Sequence, residues 1–117
     1  MLELSHKKLD VWRESIQLIS KIYELTEEYP SDEKFGLVSQ MRRASVSISS
    51  NISEGAARSS RKERKRFYEI ARSSLVELDN QLEISREINI ITQADLEPLD
   101  ELMNKVFAKL TSLKRNA

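Results

Sequence analysis

Three polar side chains on one flank of a helix, and a run of cations just beyond them, are the residues whose types and spacing suggest chemistry. Arg43, Asn51 and Glu54 follow one another at steps of eight and three. In a helix that spacing stacks them two and three turns apart along a single flank. Such a set can line a polar pocket for an anionic or nucleotide-like ligand. It can equally be a satisfied polar network that fixes the register of neighbouring helices. Glu54 has no nucleophile–base pair, metal set or second catalytic group with it, so no enzyme is expected. The cations are Arg58, Arg61, Lys62, Lys65, Arg66 and Arg72. Several of them on one face can track a phosphate backbone of RNA or DNA, and a solvated helix face is the plainer account.

The charge is local. Residues 58–72 carry seven basic and two acidic side chains, although the whole chain has a formal net charge of zero. That balance argues against a protein that coats polyanions over its entire surface. With no Cys and a single His, His6, thiolate or multi-histidine metal sites and cysteine nucleophiles are ruled out, and no cofactor is expected. Apolar runs are too short for a membrane span, and the opening MLELSHKKLD is too polar for a secretory signal. A cytoplasmic protein without a membrane partner is the expectation.

The elements that must position these residues are helices. A chain of 117 residues with only two Gly and two Pro has few places to turn, which favours a few long helices in one domain, residues 1–117. The first helix should span about residues 8–29, with Leu9, Trp12, Ile16, Ile19, Tyr23 and Thr26 as its core stripe. Val11, Leu18, Ile22 and Leu25 make a second apolar stripe on another side of the same helix. Burying four such side chains is worth about 1.5–3 kcal/mol each, so this second stripe is expected to be an interface between identical subunits. Pro30 ends the helix, and a second should run over about residues 32–54 with Leu37, Met41, Ala44, Ile48 and Ile52 inward. Gly55 is expected to close it in the left-handed conformation. Ser60 and Glu63 form a capping box for a third helix reaching about residue 88, through Phe67, Ala71, Ser74, Leu75, Leu78, Leu82 and Ser85. Thr92 and Asp95 cap a fourth, with Leu96, Leu99, Met103, Val106, Leu110 and Leu113 in the core and Pro98 near its start. Trp12 and Tyr23 read as packing residues, and His6 as exposed. Short links make this an all-α, antiparallel up-down-up-down four-helix bundle.

The sequence resembles the small four-helix-bundle proteins encoded in intervening sequences of large-subunit ribosomal RNA genes. Their fold family also includes the accessory variability protein of diversity-generating retroelements. The likeness is carried by Leu9-Asp10-Val11-Trp12, Ile22-Tyr23, Phe35-Gly36-Leu37 and Gln40 to Ala44. It continues through Ser47-Ile48, Ser50 to Gly55, Arg58, Ser60, Lys62-Glu63, Phe67, Ile70-Ala71, Ser74-Leu75 and Glu77-Leu78. Three positions depart from it: Ser49 stands where Pro is usual, Ser73 where Gly is usual, and Arg64 where an apolar aromatic is usual. The resemblance implies a ring-shaped homopentamer and supplies no reaction. Two functions are left open: weak nucleic-acid binding through the 58–72 face, and an adaptor that docks a protein such as a reverse transcriptase.

Overall fold

The computed structural model describes all 117 residues, and every regular element is helical. After a 3₁₀ turn at Ser5–Lys8 come α1 (Asp10–Glu27), α2 (Ser39–Ala57), α3 (Arg61–Glu87) and α4 (Gln93–Arg115). A 3₁₀ turn (Ser31–Glu33) and a π-helical turn (Lys34–Val38) fill the link that the sequence suggested would already be α-helix. Gly36 leaves helical geometry inside that link, so α2 starts seven residues later than its apolar spacing implies. Each helix packs on two others, α1 on α2 and α4, and α3 on α2 and α4, which makes a four-helix bundle.

The face of α1 that turns inward is the one that the sequence assigned to a partner. Leu18 and Ile22 are 0% exposed and Val11 is 5% exposed, while Leu25 packs half-buried against the same cluster. These residues belong to the chain's own core and offer no surface to a second copy. Ile16 and Tyr23, expected inside, are 41% and 39% exposed. Leu9 and Trp12 of that expected stripe do pack against the core, and two hydroxyl residues lie inside as well: Thr26, as expected, and Ser15, which interrupts the apolar pattern of the true stripe. Both are buried at low cost because Ser15 Oγ donates to the Trp12 carbonyl at 2.6 Å and Thr26 Oγ1 to the Ile22 carbonyl at 2.7 Å. His6 is also buried, its ring edge-on to Trp12 at 5.1 Å.

The serines of α2 work similarly. Ser45 and Ser49 are buried, with hydroxyls bonded to the Arg42 and Val46 carbonyls at 2.9 and 3.0 Å. Ser47 Oγ meets Ser74 Oγ at 2.8 Å across the seam with α3. Gly55 lies within α2 at negative φ, not beyond its end, and the helix continues to Ala57. It is glycine because α3 comes so close: a Cβ there would stand 2.5 Å from the Tyr68 ring.

The helix ends obey local chemistry. Ser60 Oγ accepts from the Glu63 amide at 3.3 Å, and Thr92 and Asp95 form a reciprocal capping box. Asn89 takes the left-handed conformation after α3, at φ 63°. The Ile90 amide then returns to the Ser85 carbonyl at 2.9 Å and the Asn89 amide to Arg86 at 3.0 Å, a Schellman closure. Arg42 ties α2 to the end of α1, donating to Thr26 Oγ1 at 3.0 Å and to the Tyr23 carbonyl at 3.3 Å while stacking on the Tyr23 ring.

Candidate nucleic-acid interface

The cations of residues 58–72 divide into two groups. Arg58 is engaged: it pairs with Glu54 at 2.9 Å and lies 4.9 Å from the Phe67 ring centroid. Arg72 is engaged too, paired with Glu69 at 3.6 Å and stacked 4.8 Å from the Phe107 centroid. Arg64, which interrupts the apolar pattern, caps α2 instead of joining the core. Its guanidinium donates to the Ser59 carbonyl at 2.6 Å and the Arg58 carbonyl at 3.3 Å. Arg61, Lys62, Lys65 and Arg66 pair with no carboxylate of the chain, and all but half-buried Lys65 are exposed.

These four sit at the first two turns of α3, so Arg61 faces Lys65 and Lys62 faces Arg66 one turn apart. Like charges at that spacing cost about 0.2–0.5 kcal/mol per pair in an isolated helix. Cations near a helix N-terminus also oppose its dipole. Within the first turn Glu63 is the one acid placed to offset the dipole, and it pairs with none of the four. Glu69 does not cancel them, because it is already held by Lys114 at 2.7 Å and by Arg72.

The bond from Lys114 and the nearby Arg72 charge lower the Glu69 pKa, with slight burial opposing. A carboxyl depressed in the folded state stabilises above its unfolded pKa and loses that contribution as pH falls through its folded value. Glu69→Gln should therefore lower stability at neutral pH by less than about 1 kcal/mol, since the side chain is 40% exposed. The difference should vanish in acid, below the ordinary carboxylate range, which urea titrations at both pH values would read. Burial raises the pKa of both Tyr29 and Tyr68, as expected of phenols packed among apolar side chains.

The flank of Arg43, Asn51 and Glu54 does not come together. Asn51 Nδ2 donates to the Ser47 carbonyl at 2.8 Å and to its hydroxyl at 3.1 Å, and Glu54 turns to Arg58. Arg43 is exposed and unpaired beside Gln40, Ser47 and Glu77. Steps of eight and eleven residues separate helical positions by roughly 12 and 16 Å along the axis, too far for direct contact. A shared flank is not a shared site, and Arg43 anchors no buried network.

The molecule is thus a four-helix bundle in which no Asp, Glu, Lys or Arg is buried. No group of three or more His, Cys, Asp or Glu side chains is placed to hold a metal, and no helix is long and apolar enough to cross a membrane. Residues 7–112 match the family model of the 23S rRNA-intervening sequence protein, and the chain belongs to that family. No curated protein matches it.

Proposed function

We propose that this protein is a non-enzymatic, self-associating bundle that binds RNA or DNA weakly through Arg61, Lys62, Lys65 and Arg66. The observation that carries the reading is the contrast within one short segment: Arg58 and Arg72 are engaged, while four neighbouring cations have no acidic partner. A phosphate backbone would relieve both their mutual repulsion and their opposition to the helix dipole. Four phosphate contacts predict a log–log salt slope of about −3 for single-stranded RNA. Fluorescence anisotropy of a labelled oligonucleotide across a salt series measures it. Binding that ignores salt, or no binding at low salt, would overturn the reading.

The arrangement that fits the cross-helix contacts is antiparallel, up-down-up-down. Its supports are Gly55 near the end of α2 against Tyr68 near the start of α3, and Glu14 early in α1 bonded to Lys109 late in α4 at 2.7 Å. Self-association, as a homopentamer on the family resemblance, is assigned to the outward stripe of α1. Ile16 and Tyr23 are exposed there, and Tyr23 borders a shallow depression with exposed Val46 of α2. Repetition around a ring would raise the avidity of a weak patch without new contacts.

A further inference from the structure

On the side of the bundle formed by α3 and α4 lies a groove of about 500 Å³. Its floor is apolar, made by Leu75, Leu82, Leu99, Met103 and Phe107, with Val76 at the lip and 54% exposed. Each wall carries two carboxylates one turn apart, Asp79 and Glu83 on α3, Glu97 and Asp100 on α4. No Lys or Arg lines the groove. Only Glu83 has an ion-pair partner, Arg86 at 2.6 Å; Asp79, Glu97 and Asp100 have none.

We propose that this groove docks a partner protein through an amphipathic helix bearing Lys or Arg on both flanks of an apolar stripe. A cleft between two helices accepts a third as aliphatic anchors at i, i+3 or i+4, and i+7. From Glu97 to Phe107 the groove extends roughly 15 Å along α4, room for about three helical turns. Two acidic walls select cationic flanks and repel nucleic acid, so the occupant differs in kind from the ligand of the basic corner. The α3 face of a second copy does not fit this description. From Val76 onward its exposed aliphatic residues, Val76, Ile84 and the C-capping Ile88, stand beside acids: Glu77, Glu83 and Glu87.

The probe is a labelled synthetic Leu/Lys amphipathic helix of about 14 residues, compared with a shuffled peptide of equal composition and a Leu/Glu counterpart. Anisotropy should show saturable micromolar binding of the Leu/Lys helix, at least about tenfold tighter than either control. Asp79→Lys with Glu97→Lys, both at exposed positions, should weaken it by at least about tenfold and shift preference toward the Leu/Glu peptide. Val76→Asn should weaken it without reversing that preference. Equal binding of helix and shuffled peptide, or affinity unchanged in the charge-reversed variant, would overturn the proposal. So would a native mass that falls to one chain in Val76→Asn, since a second copy would then be the occupant.

Discussion

Replacing Leu18 with alanine lowers the unfolding free energy by about 2–5 kcal/mol, and Leu18→Glu abolishes the cooperative transition. The side chain is fully enclosed by its own chain, so truncation leaves a cavity and a carboxylate would find neither water nor a cation. Against the roughly 5–15 kcal/mol that hold a domain together, either loss is large. Tyr23→Glu, two turns away less two residues and on the outward stripe, provides the contrast: its helicity and melting transition should survive while the native mass falls. Circular dichroism and sedimentation on both variants separate the two stripes of α1. A folded, monomeric Leu18→Glu protein would mean that the core and interface faces are exchanged.

Gly55→Ala destabilises the protein by about 1–2 kcal/mol, against its helix propensity. Within a helix Ala is favoured over Gly by about 1 kcal/mol, but the new Cβ would sit 2.5 Å from Tyr68 Cε1 and 3.2 Å from Phe67 Cβ. Tyr68 is only 4% exposed, so its ring cannot swing aside without losing its own packing. Gly55→Leu, adding more volume at the same place, should cost more than about 3 kcal/mol. A double-mutant cycle gives the cause: in a Tyr68→Ala background the penalty of Gly55→Ala should disappear. A penalty that persists there would belong to the α2 backbone, not to the meeting of α2 with α3.

Gly55 illustrates what the sequence discloses and what it withholds. A glycine at the end of a periodic segment signals that something is sterically special, but closure and close approach look alike until the opposite helix is placed. Helix number, the Ser60 and Thr92 caps and the core series of α3 and α4 were readable because local rules determine them. The orientation of α1 was not. Two apolar stripes compete on it, and a hydroxyl that satisfies itself on the preceding turn lets Ser15 lie inside. Ion pairing was illegible for a related reason. Glu69, one of the two acids in the basic segment, is held by Lys114, which lies 45 positions away in sequence. Arg42, mid-helix on the apolar spacing, and Arg64, legible only as a departure from the family pattern, gave no sign that they fasten helix ends. The acidic groove has none either, since its walls come from separate helices.

Free cations can offer a phosphate what Arg58 and Arg72, already engaged, cannot. Arg61→Gln, Lys62→Gln and Lys65→Gln combined should reduce the salt slope for single-stranded RNA by about 2 and the low-salt affinity by more than about tenfold. The same loss of charge at exposed Lys8, Lys21 and Lys34 is the control. If the two triple variants lose affinity equally, or if neither changes the slope, residues 61–66 are not where phosphate is bound.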